Sequence, residues 1–263
     1  MSRDISEILD GWDFEPGDVQ VRIVAGEDGR DKIQLRLELG LLQMELDGRP
    51  DGKRPEGRES WLDYYRDVQQ AHDAAHLESS PFRLDAIACE RLLREGIQYY
   101  HRYLSFWRLQ RYELCARDTN RNLRLFRFVR AYARTEEEKR RFDQWRPYVT
   151  MMHTRAVATP LVEIGLLDAA LKAIEAGIRG IETFLRDYQQ ADNADQCQEL
   201  TQLREWREEV AASVVKRLPP REPGPTPEPS NPVDLLRREL AEAVADERYE
   251  DAARLRDEIQ RLA

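Results

Sequence analysis

A run of prolines near the C-terminus sets the strongest constraint on how this chain can fold. Residues 218–232 contain seven of its thirteen prolines. Proline lacks the amide donor that a helix or sheet needs and biases the preceding residue toward extended geometry. We therefore predict a polyproline-II linker at residues 219–232, about 40 Å long at ~3.1 Å per residue. It separates a main body from a short module at residues 233–263.

The first part of the body, residues 1–58, has the alternation of a β-hairpin. Apolar residues occupy every second position on both sides of residues 26–30, which have turn chemistry. An isolated hairpin is only marginally stable in water, so we expect its apolar face to pack on the helices that follow or on a second copy of the chain. The alternating residues are Val19, Val21 and Ile23 before the turn and Ile33, Leu35, Leu37 and Leu39 after it.

From residue 59 to residue 218 the apolar period becomes helical. The spacing of Leu171, Ile174 and Ile178 predicts a helix that is buried on a broad face. Helix breaks are expected at or near five places, which divide the body into about six helices in antiparallel pairs. These places are Pro81, Thr135, Pro147, Pro160 and residues 192–195.

The segment from Gly165 to Ile178 is similar to the second helix of a tetratricopeptide repeat, in which a small residue lets two helices approach closely. An irregular helical bundle is the alternative, because the first-helix pattern of the repeat is not clear. The predicted fold class is therefore mainly α: an N-terminal β-hairpin packed on a bundle or tetratricopeptide-like body, followed by a C-terminal two-helix hairpin.

Two short apolar stripes in residues 233–263 predict that C-terminal hairpin. The first runs from Leu236 to Val244 and the second from Ala252 to Leu262, with a turn around residues 246–248. The string Leu236-Arg237-Arg238-Glu239-Leu240 and the later Tyr249-Glu250-Asp251-Ala252-Ala253-Arg254-Leu255 closely resemble the UVR motif. That family of helical hairpins occurs in subunits B and C of the bacterial excinuclease, in Clp-type protease ATPases and in activators of bacterial arginine kinases.

This resemblance implies contact with a protein partner or with a second copy of the motif. A hairpin of about thirty residues buries little surface alone, so an apolar seam left over after its helices pair favours association. The alternative is that the hairpin only caps the body. The residues expected to bind the partner are Leu236, Leu240, Tyr249, Ala252, Leu255, Arg256, Asp257 and Ile259.

The rest of the chain has none of the features of enzymes that carry this motif. It lacks the GxxxxGK[ST] phosphate loop of the ATPases and the paired CxxC of the zinc-binding kinase activators. The segment from residue 39 to residue 52 also looks like bacterial UVR-motif proteins, which implies the family without implying an activity. We therefore expect a cytoplasmic, non-enzymatic adaptor with no cofactor and no membrane segment.

An arginine-rich segment supports a different function. Between His101 and Arg134 nine arginines face two acids, a local charge of +7 in a chain of −9. On a helical wheel the arginines share one side, which favours either an anion-binding face for nucleic acid in a DNA-repair accessory protein or a solvated face paired with acids elsewhere. The candidate anion-binding residues are Arg117, Arg121, Arg124 and Arg127.

The histidines and cysteines give little further indication. His72 and His76 have the i, i+4 spacing of a helical metal pair, but no third ligand is evident, so we predict no metal. Three widely spaced cysteines favour reduced, buried thiols over a disulfide framework.

Overall fold

The computed structural model describes residues 4–75, 80–217, 232–246 and 248–262. The chain divides into two compact units. The N-terminal unit contains residues 1–111 and 124–143, and the C-terminal unit contains residues 112–123 and 144–263. The predicted domain boundaries stay predictions, since the linker falls mostly outside the described residues.

The N-terminal unit starts with a short helix, α1 (Ser6–Leu9), and an antiparallel sheet of strands β1 (Val21–Ala25), β2 (Asp31–Leu37) and β3 (Gly40–Glu45), in that order. The predicted hairpin is β1–β2, with Ile33 opposite Ile23. Strand β3 was not predicted from the sequence. It pairs with β2 so that Ile33 also faces Met44. Leu39, expected on a strand, lies in the turn between β2 and β3, where it is 92% exposed.

The two faces of the sheet bury different chemistry. Ile33, Leu35 and Met44 are buried on one face, and β2 packs against a long helix, α3 (Ala86–Arg108). On the other face Lys32 donates hydrogen bonds to Asp28 at 2.8 Å and Glu45 at 2.5 Å. Along β2, apolar residues therefore point to one face of the sheet and polar residues to the other, and residues on both faces are buried in the N-terminal unit.

Helix α2 (Trp61–Ala75) is held at its start by α3. Glu95 of α3 is fully buried and accepts hydrogen bonds from the backbone N–H groups of Trp61 (2.8 Å) and Leu62 (3.2 Å). The guanidinium of Arg49 lies 3.3 Å from the same carboxylate. Glu95 therefore satisfies amides at the N-terminus of a neighbouring helix, a task that a residue of the helix itself usually performs.

The unit continues with α4 (Tyr112–Tyr132), whose second half belongs to it, and α5 (Glu136–Asp143). A capping box starts α5, because Glu138 N–H donates to Thr135 Oγ1 at 3.1 Å and Thr135 N–H donates to Glu138 Oε2 at 3.3 Å. The break between α3 and α4 was not predicted from the sequence. Gln110 in this break is a non-glycine residue with a left-handed backbone conformation, φ +56°.

The C-terminal unit contains the first half of α4 and helices α6 (Arg146–Glu163), α7 (Leu167–Asp187), α8 (Gln198–Arg217), α9 (Pro232–Ala245) and α10 (Tyr249–Leu262). Residues 61–75 and 80–217 thus hold seven α-helices rather than about six. Pro147 lies in the first turn of α6, as expected, and the break predicted near Pro160 lies at residues 164–166, between α6 and α7. Pro160 lies in the last turn of α6, where the helix continues through an Ile164 N–H to Pro160 C=O bond of 3.1 Å.

Helices α6 and α7 pack closely at Gly177. A Cβ atom at this position would lie 2.0 Å from Thr154 Oγ1, so no larger residue fits without a shift. The predicted stripe of α7 is buried at Ile174, Ile178 and Ile181. The helix and the role of its small residue are thus confirmed, whereas a tandem tetratricopeptide array stays a prediction.

Candidate partner-docking hairpin

Helices α9 and α10 form a hairpin with a core of its own. Leu240 and Ala243 of α9 and Ala252 and Ile259 of α10 are each at most 8% exposed and form one cluster. The chain reverses after α9, where Arg248 N–H donates to Ala243 C=O at 2.8 Å. Leu240 and Ala243 are three residues apart and Ala252 and Ile259 are seven apart, so each pair lies on one face of its helix, and pairing the two faces buries both.

An arginine and an acid fix the start of α10. Arg248 Nη1 donates to Asp251 Oδ2 at 2.9 Å, and Arg254 also bonds this carboxylate. The hydrogen bond from Arg248, followed by that from Arg254, lowers the pKa of Asp251. An ionised carboxylate in the first turn also interacts favourably with the N-terminal end of the helix dipole.

One side of the hairpin is packed on the body of the same unit. Ile164 and Leu166, in the connection between α6 and α7, pack against the hairpin core. A cavity of about 30 Å³ lies in the contact. On the hairpin side it is lined by Leu240, Val244, Ala252, Ala253 and Arg256, and on the body side by Glu113, Ala116, Ala156, Val157, Pro160 and Leu161.

An ion pair adds to this apolar contact. Arg256 Nη1 of α10 donates to Glu113 Oε2 of α4 at 3.2 Å, with the two side chains 18% and 13% exposed. Arg256 Nη2 also donates to the adjacent Asp257 at 2.7 Å. Burial lowers the pKa of the Arg256 guanidinium, but the bond to Asp257 and the charge of Glu113 outweigh it and raise the pKa overall.

The structure gathers most of the predicted partner-binding residues on this hairpin. Leu240, Ala252 and Ile259 are buried in its core, and Leu236 and Leu255 are half-buried beside it. Arg256 and Asp257 are half-buried and joined to each other. Tyr249 starts α10, but its side chain lies outside the described part. Partner binding by these residues stays a prediction.

The body surface that receives the hairpin was not predicted from the sequence. Its residues include Glu113, Ala156 and Pro160, which lie far before Pro232 at the start of the hairpin and form no local pattern. Only one signal was present in the sequence: Glu113 is one of two acids in the arginine-rich segment.

A larger groove of about 750 Å³ lies beside the hairpin between α6, α7 and α9. Small side chains such as Ala173 and Ala176 form much of its wall, and Asp168, Lys172 and Glu242 line it as charged residues. His153, also in the lining, has its Nδ1 atom 3.1 Å from the buried hydroxyl of Thr119. This hydrogen bond holds one nitrogen of the His153 ring against α4.

The arginine-rich side of α4 is not one solvated face, which corrects the expectation from the helical wheel. Arg121 is 7% exposed and donates to Asn122 Oδ1 at 3.2 Å, and Arg117 is paired with the buried Asp118 at 3.1 Å. Only Arg124 and Arg127 of the four candidates are exposed. The wheel placed these arginines correctly by angle, but packing around the first half of α4 covers part of that side. Nucleic-acid binding stays a prediction.

Among residues 4–75, 80–217, 232–246 and 248–262, no three histidines, cysteines, aspartates or glutamates lie close enough to hold a metal ion. His72 lies 3.6 Å from Asp73, and His76 is outside the described residues. No helix in the described part of the chain combines the length and apolarity of a transmembrane segment.

Comparison with known proteins identifies the hairpin. No match was found among curated proteins or among solved structures. The model of one family, described as "UvrB/uvrC motif", matches residues 230–263, the segment that contains α9 and α10. The C-terminal segment of this chain is therefore similar to the UVR motif.

Proposed function

We propose that this protein is a non-enzymatic adaptor whose UVR hairpin binds a protein partner. The observation that carries the proposal is the separate core of the hairpin, formed by Leu240, Ala243, Ala252 and Ile259. Because this core is built from both helices of the hairpin, the hairpin can leave the body without losing the contacts between α9 and α10.

The contact with the body fits a reversible association. It consists of small apolar side chains around Leu240 and Ala252, one partly exposed ion pair and the two residues Ile164 and Leu166. The two side chains of this pair are 18% and 13% exposed, so the desolvation of both charges offsets much of their mutual attraction. A partner that offers more apolar area can therefore compete with the body for the same seam.

The linker supports the same function. Fourteen residues, 218–231, separate α8 from α9, and six of them are prolines. A proline-rich tether keeps a released hairpin near the body while it reaches a partner, and it raises the effective concentration of any second contact.

Affinity capture with a matched pair of leucine variants tests the proposal. Leu240→Glu places a charge in the hairpin core, whereas Leu235→Glu changes a leucine of the same helix that is 49% exposed. Proteins retained from cell extract by the wild-type chain and by Leu235→Glu, but not by Leu240→Glu, are then purified and titrated against the full chain. Equal direct binding by all three chains would contradict the hairpin as the binding element, provided that circular dichroism shows a folded body in each.

A further inference from the structure

The hairpin lies against a defined surface of the body. This surface is formed by residues of α4 and α6, Glu113, Ala116, Ala156, Val157 and Pro160, and by Ile164 and Leu166 after α6. We call this set the receptor surface. It combines small apolar side chains, which admit the hairpin closely, with one carboxylate placed to accept a hydrogen bond from Arg256.

Nothing in this contact depends on the hairpin and the receptor surface belonging to one chain. The interacting atoms are side chains of α10 and α9 on one side and of α4 and α6 on the other, and the covalent route between them is the tether of residues 218–231. A second copy of the chain offers the same surface and the same hairpin. We propose that two copies exchange their UVR hairpins, each hairpin docking on the receptor surface of the other copy.

Tether length decides between the two arrangements. The fourteen-residue tether keeps the hairpin near its own receptor surface, so the monomeric arrangement dominates in dilute protein. Exchange becomes dominant when the intramolecular contact is weakened and the intermolecular one is not. Domain exchange of this kind forms a closed dimer without any new interface.

Charge reversal at the ion pair between Glu113 and Arg256 can weaken the contact within one chain and leave the contact between two different variant chains intact. In a Glu113→Arg chain the introduced guanidinium faces the chain's own Arg256, and in an Arg256→Glu chain the introduced carboxylate faces the chain's own Glu113. When only one of the two variants is present, like charges therefore face each other both in the monomer and in an exchanged dimer of two identical chains. A mixture of the two pairs opposite charges at both contacts of an exchanged heterodimer.

We expect each single variant to remain monomeric and the equimolar mixture to form a dimer of twice 30.9 kDa. Light scattering after size exclusion measures the masses, and energy transfer between two differently labelled chains measures the exchange. The dimer fraction in the mixture should exceed that of either variant alone by about tenfold, since close like-charge contacts are strongly disfavoured. A mixture that stays monomeric would overturn the proposal.

Two controls test that the effect belongs to this contact. The double variant with both changes on one chain restores opposite charges within the chain and should be monomeric. Arg254→Glu changes an α10 arginine whose side chain is 80% exposed, and its mixture with Glu113→Arg should not dimerise. Dimerisation in that control mixture would likewise count against a site-specific exchange.

The inference rests on the proposed function in one respect: both use the same side of the hairpin, which includes Leu240, Ala252 and Arg256, as the binding surface. Its experiment contains no other protein. Failure of exchange would therefore leave capture of an external partner unaffected, and failure of capture would leave the exchanged heterodimer measurable.

Discussion

At the scale of single residues, Glu95 illustrates how a buried charge can stabilise an element to which it does not belong. Its carboxylate accepts two backbone hydrogen bonds at the start of α2 and lies beside Arg49. We predict that Glu95→Ala lowers the free energy of unfolding by about 3 kcal/mol, because it leaves two amides and one guanidinium without this partner. Glu95→Gln keeps an acceptor and should be less destabilising. Urea unfolding measures both, and equal loss in the two variants would contradict this account.

The thiols give a pH prediction. Burial raises the pKa of Cys89 to about 11 and raises that of Cys115 well above its usual value. A thiol in the unfolded chain loses its proton near pH 8.5, whereas buried Cys89 keeps its proton to about pH 11. The folded state therefore binds more protons in this window, and its stability should fall as the pH rises from about 8.5 to about 11.

Chemical denaturation at a series of pH values measures this decline. Cys89→Ala should flatten the alkaline decline relative to the wild type, while Cys115 continues to contribute. Unchanged slopes in the variant would show that Cys89 is not one of the titrating groups.

The structure contains free cysteines, as expected from their wide spacing: two are buried and the third is half-buried.

At the scale of secondary-structure elements, two leucines of the sheet region share the same alternating pattern in the sequence but differ in burial. Leu35 on β2 is 6% exposed, whereas Leu39 in the next turn is 92% exposed. We predict that Leu35→Asp destabilises the protein by about 3 kcal/mol or more, since it buries a carboxylate without a partner, and that Leu39→Asp is nearly neutral. Thermal unfolding compares them. An unchanged melting temperature for Leu35→Asp would contradict packing of the sheet within its unit.

A second element-scale prediction concerns the contact between α6 and α7. Replacing an exposed helical glycine by alanine usually stabilises a helix by about 1 kcal/mol. At Gly177 the new Cβ would overlap Thr154, so we expect Gly177→Ala to destabilise by about 1–3 kcal/mol. Gly180→Ala on the same helix meets Thr150 Cγ2 at 3.2 Å and should be milder. The denaturant concentration at the midpoint of unfolding measures the stability of each variant. A Gly177→Ala variant more stable than the wild type would contradict the close packing.

Patterns with a regular period were predictable at this scale, and features set by distant packing were not. Alternation located β1 and β2, and helical spacing located α7 and the two helices of the hairpin. Strand β3 was missed because the run Gly40-Leu41-Leu42 does not alternate, and the sheet settles its conformation. Pro160 belongs to the last turn of α6, so the helix ends a few residues after the proline and not at the proline itself. The receptor surface for the hairpin joins residues far apart in sequence, which no local pattern encodes.

At the scale of the whole molecule, the hairpin and the rest of the C-terminal unit should open at different rates. The hairpin meets the body through a small apolar contact and one ion pair, whereas α7 is buried along its length. We expect backbone amides of α9 and α10 to exchange with solvent faster than those of α7, and Arg256→Ala to speed exchange in the hairpin alone. Hydrogen exchange followed by mass spectrometry measures this. Equal exchange rates for α7 and the hairpin would contradict independent opening.

The division of α4 between the two units has a consequence for synthesis on the ribosome. Residues 112–123 leave the ribosome before residue 124, yet the rest of their unit begins only at residue 144. Thr119 of this segment hydrogen-bonds His153 of α6, and its neighbours Cys115 and Ala116 are buried in the finished protein. Domains tend to fold in the order in which they are made, at about 5–20 residues per second. All residues of the N-terminal unit have thus been synthesised at residue 143. At that point α6 has not yet been translated, so the residues of the first half of α4 that pack on it lack this contact.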